Sequence, residues 1–321
     1  MRAWRPEPGV SGPTRPVDKD IGALNVLFAE AFTDRYRRDG LTGVRVPPLN
    51  PAIWRYALLD AGDGAMVWRD ERGAIAAFNV AHRSGTEGWM GPLAVRPDRQ
   101  HGGLGKTIVR AAMERLIDAG VTTLGLETMP RTVENIGFYA GLGFTPGHLT
   151  ITLSRDLPHR MIGSPGRLSE RPDGGRSAVA AARDLLGVLL PGVDFTHEIL
   201  LTAELGLGDT CVVEGDAGLD AFVLWHSAPL GDTRARDEIR VLKLAARSEA
   251  AFDAAVIAVE AAAGQEGIGN VAFRCQTAYD WTFRRLVARG YRVRWTDLRM
   301  TCVGYPERAP ASGVVFSNWE I

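Results

Sequence analysis

Cysteine is scarce in this 321-residue chain. Only Cys211, Cys275 and Cys302 occur. All lie in the second half, and none forms a C-x-x-C pair. An odd, scattered set excludes a disulfide framework and reads as small buried hydrophobes. Net charge is lacking too: 37 basic residues face 38 acidic ones, a formal charge of -1. No global positive field recruits nucleic acid, so any anionic ligand must be held by a local site. The six histidines show neither H-x-H nor H-x-x-x-H spacing, which leaves a metal site without support. No apolar run reaches membrane-spanning length, and the first 30 residues hold no continuous apolar stretch of the kind a secretory leader needs. The expectation is a cytoplasmic protein with no metal, nucleic acid or membrane partner.

What is present is an ordinary globular composition, 45% hydrophobic and 23% charged. The length suits two domains better than one. Residues 1–17 are rich in Pro, Gly and Arg and read as a loose arm. A helix is expected after Asp18, carrying Leu24, Leu27, Phe28, Ala31 and Phe32 at helical spacing. Asn50 and Pro51 signal a second helix as N-cap and first residue. Strands follow at 65–69, 74–82 and 89–95, then a helix at 104–119 closed by Gly120. A strand at 122–127, a helix at 132–141 and a strand at 145–153 complete the first half. That order predicts a mixed sheet with helices on both faces. Residues 156–176, dense in Pro, Gly, Arg and Ser, read as a linker between domains at 1–155 and 177–321. The second domain repeats the order: a helix at 178–190, strands at 210–214, 221–227 and 238–244, a helix at 249–263, a strand at 270–275, a helix at 278–289 and a strand at 292–301. The apolar tail 314–321 is a candidate extra strand.

The informative stretch runs from Val95 to Lys106, between a predicted strand and a predicted helix. Gln100, Gly103 and Gly105 form a Q-x-x-G-x-G pattern. Glycines let the backbone turn with positive φ and approach a ligand closely. Successive N–H groups can then converge on one anion, aided by the positive end of the helix that begins there. The dinucleotide pattern G-x-G-x-x-G and the P-loop are both absent, and a meander of strands, not a βαβ unit, comes first.

Val95-x-Pro97-x-x-Gln100-x-x-Gly103-x-Gly105 resembles the acetyl-CoA signature of the GNAT (Gcn5-related N-acetyltransferase) superfamily. The run from Glu134 to Phe144 resembles that family's next signature, a helix with a tyrosine that ends in Gly143-Phe144. The resemblance implies an α/β fold made of two tandem GNAT-like units. It implies that amides of His101, Gly102, Gly103, Leu104, Gly105 and Lys106, with Gln100 beside them, hold a pyrophosphate. Main-chain groups of Leu93 and Val95 would pair with the pantetheine arm, and Tyr139 would protonate the departing thiolate. Asn135 is a candidate cofactor contact, although the family's usual asparagine lies seven residues before the tyrosine, where this chain has Thr132.

Attack by an amine needs the neutral nitrogen. An amine of pKa about 10.4 is neutral in roughly one molecule in a few thousand at pH 7, so a base helps. Glu87, at the head of the strand leading to the loop, is the first candidate; His82 and Glu127 are others, each also readable as a surface or edge group. The resemblance implies that the first two helices wall the acceptor site; here they offer Tyr36, Trp54 and Tyr56 and the cluster Arg35, Arg37, Arg38. In the second half the equivalent turn, Leu244 to Ala251, has no glycine, and Glu249 puts a negative charge at the helix start. That lobe is expected to hold no acetyl-CoA, as in tandem GNAT proteins with one degenerate unit.

The function expected is N-acetyl transfer from acetyl-CoA, used as a substrate, to a primary amine of a small molecule, by a monomer or homodimer. A non-catalytic acyl-CoA-binding module and transfer of a longer acyl group are the alternatives.

Overall fold

The computed structural model describes residues 9–158 and 165–319. The first half holds β1 (Val10–Thr14), α1 (Ile21–Arg38), α2 (Pro51–Ala61), β2 (Ala65–Asp70), β3 (Ile75–Ser84), β4 (Glu87–Val95), α3 (Leu104–Asp118), β5 (Thr123–Thr128), α4 (Val133–Ala140) and β6 (Phe144–Asp156). The second half holds α5 (Arg176–Leu189), α6 (Thr196–Leu205), β7 (Gly208–Gly215), β8 (Gly218–His226), β9 (Glu238–Ala246), α7 (Glu249–Gln265), β10 (Asn270–Gln276), α8 (Asp280–Ala288), β11 (Arg292–Cys302) and β12 (Val314–Ser317). From α1 to β6 and from α5 to β11 the order of elements is the same.

Local chemistry sets several boundaries as the sequence predicts. The Asn50 side chain accepts from the Ala52 amide at 3.0 Å and opens α2, and Ser248 caps α7 by accepting from the Ala251 amide at 3.2 Å. Two elements depart from expectation. Part of the supposed loose arm is strand β1, paired antiparallel with β2; its glycine and proline disguise it, and its short edge position tolerates them. Helix α6 was not foreseen, because its buried positions mix Thr196, Glu198 and Thr202 with Ile199 and Leu201 while Leu200 is exposed, so no apolar stripe marks it.

All twelve strands join one mixed sheet, in the order β1-β2-β3-β4-β5-β11-β6-β10-β9-β8-β7, with β12 on β9. The two halves exchange strands. β11 inserts between β5 and β6, with Arg299 opposite Glu127 and Thr296 opposite Ile151, while β6 pairs on its other edge with β10. Helices cover both faces: α3 packs on the core of Ile108, Ala112, Leu126 and Met300, and α1 and α2 on that of Leu24, Trp54, Val67 and Phe78. Met300 belongs to β11, so the second half supplies part of the first lobe's core. The three cysteines are free and buried. Among the described residues no helix is long and apolar enough to cross a membrane.

In both lobes one parallel strand pair separates partway along. β4 pairs with β5 only from Glu87 to Met90. β9 pairs with β10 only from Glu238 to Val241. In the first lobe the gap stays open beside Leu93 and Val95. In the second, β12 fills it, with Val314 to Ser317 antiparallel to Ala246 to Lys243.

Candidate active site

The loop before α3 supplies the cradle. Gly103 has φ +99°, and a Cβ there would meet open space, so the turn itself, not crowding, demands glycine. His101 is the one non-glycine residue with positive φ among the described residues. The backbone N–H groups from His101 to Gly105 donate to no other group among the described residues, as suits an anion at a helix start, whereas the Lys106 amide, expected beside them, donates to the Gly103 carbonyl at 3.0 Å. Gln100 does not point outward: its Nε2 donates to the Val95 carbonyl at 3.1 Å, tying the loop to the end of β4. Leu104 turns its side chain into the core, leaving only its amide available. Val95, Gln100, His101, Gly103, Gly105, Lys106 and Phe138 line a cleft of about 310 Å³ over this loop.

That cleft opens onto another of about 460 Å³, walled by Phe32 and Arg35 of α1, Leu93, Ala94 and Val95 of β4, and Asn135, Phe138 and Tyr139 of α4. Phe138 lines both clefts, and a Cβ on Gly105 would come within 3.4 Å of its ring. Sequence reading passed over Phe138, although it stands directly before Tyr139. Asn135 reaches Thr128 Oγ1 at 3.4 Å. Thr132 donates its hydroxyl to Asp39, so it ties α4 to the end of α1.

Tyr139 stands where this cleft meets a third cavity of about 310 Å³, since it lines both. Its ring packs against Phe138 and Phe144, and its hydroxyl has no hydrogen-bond partner among the described residues. Burial pushes the phenol well above its ordinary pKa. At neutral pH it is an acid with a proton to give.

The third cavity lies between the halves of the chain. α1 contributes Phe28, Phe32, Arg35 and Tyr36, β4 contributes Met90 to Leu93, and β5 contributes Glu127 and Thr128. The second half contributes Leu230, Arg274, Trp295, Asp297 and Trp319. Glu127 accepts from Arg299 at 2.9 Å and also from Arg274 and Thr150. Burial works against its ionisation, but the two guanidinium groups outweigh that and hold its pKa below the usual range. It is a pinned anion rather than a free base.

The other candidate bases lie elsewhere. Glu87 is buried at the head of β4, one carboxylate oxygen without a partner, and lines none of these three cavities. His82 is buried as well, not a surface group: Nδ1 meets Asp60 at 2.6 Å and Nε2 meets the Gly91 carbonyl at 3.0 Å. It braces β4 where β4 leaves β5. Trp54 and Tyr56 are core residues, whereas Tyr36 does reach the third cavity. Among the described residues no group of three or more His, Cys, Asp or Glu is placed to hold a metal ion.

Residues 28–144 match the Acetyltransferase (GNAT) family, the span that holds the loop, the open strand pair and Tyr139. The first lobe is a GNAT domain. The chain is 34% identical over 74 residues to the [ribosomal protein bS18]-alanine N-acetyltransferase of Escherichia coli strain K12, a stretch that is 23% of this chain and 50% of that protein. It thus spans about half the length of the curated relatives it matches. Likeness of fold extends over nearly everything. A GCN5-related N-acetyltransferase from Sphaerobacter thermophilus superposes with a TM-score of 0.59 at 16% identity, over 94% of this chain and 98% of that one. A tandem GNAT protein from the clavulanic acid biosynthesis pathway gives 0.58 at 14% identity, over 93% and 100%. The tandem GNAT architecture therefore covers both halves.

Proposed function

We propose that the protein is an N-acetyltransferase that binds acetyl-CoA in the first lobe and moves the acetyl group to a primary amine of a small molecule. The observation that carries this is the place of Tyr139, which lines both the cleft beside Leu93 and Val95 and the cavity between the halves. The pyrophosphate would rest on the amides of His101 to Gly105, and the pantetheine would lie along Leu93 and Val95 as a substitute strand. The acceptor nitrogen attacks the thioester carbon from the cavity between the lobes. As the C–S bond breaks, Tyr139 gives its proton to sulfur; the proton leaving nitrogen passes to water and restores the phenol. A cavity of about 310 Å³ walled by both halves suits a compact acceptor.

We further propose that only one acetyl-CoA binds per chain. In the second lobe β12 takes the place that pantetheine takes in the first, and Glu249 stands at the start of α7, where a pyrophosphate would be repelled. The units of the proposal are a GNAT domain over 1–155, a linker over 156–176 and a supporting lobe over 177–321. The test combines acetyl-CoA titration with a thiol-release screen over primary amines, products identified by mass. One equivalent bound and an acetylated amine are expected. Tight acetyl-CoA binding with no acetylated product from any amine would instead mark a non-catalytic binding module.

A further inference from the structure

Resting on the acetyl-transfer reading, the acceptor cavity holds more information than its size. Its far wall is built by the second lobe. Asp297 of β11 accepts from Trp295 Nε1 at 3.1 Å and from Arg274 at 3.2 Å. Each of its oxygens therefore has one partner and room for another. The rings of Tyr36 and Trp295 meet edge to face, centroids 6.2 Å apart, and Phe28, Phe32 and Trp319 also line the cavity.

The charges behind that wall do not cancel. Arg274 is shared between Glu127 and Asp297, and Arg299 between Glu127 and Glu307. Two guanidinium groups thus serve three carboxylates. Arg299 spends its outer face on Trp89, 3.9 Å away, and Arg274 also donates to the Trp319 carbonyl. Arg35, the other cation lining the cavity, is held by Asp39 and Glu134. Of the two acids that line the cavity, Glu127 is held by three donors and Asp297 by two weaker contacts. Burial, only partly offset by Arg274 and reinforced by the charge of Glu127, pushes the Asp297 carboxyl above its ordinary range. A cation in the cavity would relieve it, and aromatic faces beside a carboxylate favour such a guest.

We infer that the acceptor carries a positive charge apart from its reacting nitrogen, and that Asp297, presented by the second lobe's strand β11 beside Tyr36 and Trp295, receives it. The reacting amine points back toward Leu93 and Tyr139. The second lobe thereby selects the substrate for a reaction carried out in the first.

The experiment measures binding of α,ω-diamines of three to eight carbons to the full chain saturated with CoA, by calorimetry. Monoamines and ω-amino acids of equal length serve as partners for comparison. At least one diamine should bind about tenfold or more tightly than its monoamine, with the ω-amino acid weakest. Asp297→Asn should erase the preference while CoA affinity and melting temperature hold, and Asp297→Glu should restore part of it. Equal binding of diamine and monoamine, or a preference that survives Asp297→Asn, would overturn the inference. Neither result touches the acetyl-transfer reading, which fails separately if the thiol-release screen gives no product. A diamine preference in binding beside an empty turnover screen would sustain the cation site and remove the catalysis.

Discussion

Replacing Tyr139 by phenylalanine removes one oxygen from a hydroxyl without a hydrogen-bond partner among the described residues. The ring remains packed on Phe138 and Phe144. Stability should therefore change by less than about 1 kcal/mol, and can rise slightly, because no hydrogen bond is lost and a polar group leaves a buried place. Catalysis should respond differently. A general acid contributes about 10²–10⁴ in rate, so kcat should fall about 100-fold or more, equal to about 2.7 kcal/mol of barrier. The sign with pH follows from burial. It raises the Tyr139 pKa above its usual value near 10, so the phenol keeps its proton throughout pH 6–9 and contributes no alkaline limb in that range. The wild type and Tyr139→Phe should then keep a constant ratio of kcat across that window. Thiol release at saturating acetyl-CoA, with acetyl-CoA affinity measured alongside, is the assay. A fall of less than about threefold at every pH, with affinity unchanged, would refute the assignment of Tyr139 as the acid.

Gly103→Ala should lower stability by about 1 kcal/mol, since φ +99° is strained for any residue with a Cβ even where space is open; acetyl-CoA affinity should weaken about tenfold as the amides turn, read by calorimetry. Asp297→Asn should leave the melting temperature unchanged or higher at pH 7–8. A carboxyl whose folded pKa is raised favours the native state below its unfolded pKa, and that contribution is lost as pH rises through the folded value; neutral asparagine escapes the loss. Phe316→Ala, in a residue with no exposed surface that packs on Phe252 and Tyr279, should cost about 3–5 kcal/mol in denaturant unfolding.

Much of this was legible beforehand because the signals are local. Asn50-Pro51, Ser248 and the apolar spacing of α1 and α3 specify their elements within a few residues, and the glycine loop identifies a cradle because its chemistry is carried by backbone. The strand exchange was not legible. Nothing within β6 or β11 states whether its neighbour is β5 or β10, since that choice is made by packing across the sheet. The acceptor cavity was hidden for the same reason: Glu127, Arg274 and Asp297 are far apart in the chain and meet only because β11 lies beside β5. Glu87 stood out by its position on β4, yet it lies six residues from Leu93 on a strand that rises about 3.3 Å per residue, and the register of β4 on β3 shifts between them. Being on the right strand therefore says little about distance from Leu93.

The two open strand pairs are met in different ways. A strand edge buried without partners leaves N–H and C=O groups unpaired, at a cost comparable to lost hydrogen bonds. In the second lobe the chain meets this demand itself: β12 pairs with residues 243–246 of β9, and Val314 and Phe316 enter the same core as Phe252 and Val259. In the first lobe residues 91–95 of β4 have β3 on one side and a cleft on the other. A ligand with amide groups at pantetheine-like spacing can do there what β12 does in its twin. On the proposed function, a gap closed by covalently attached chain would admit no ligand, and the second lobe would act through β11 and the residues that follow β12. It is consistent with this that Trp319, two residues past β12, stacks on Trp89 of β4 and lines the acceptor cavity. The strand that fills one lobe's cleft thus ends by shaping the other lobe's pocket.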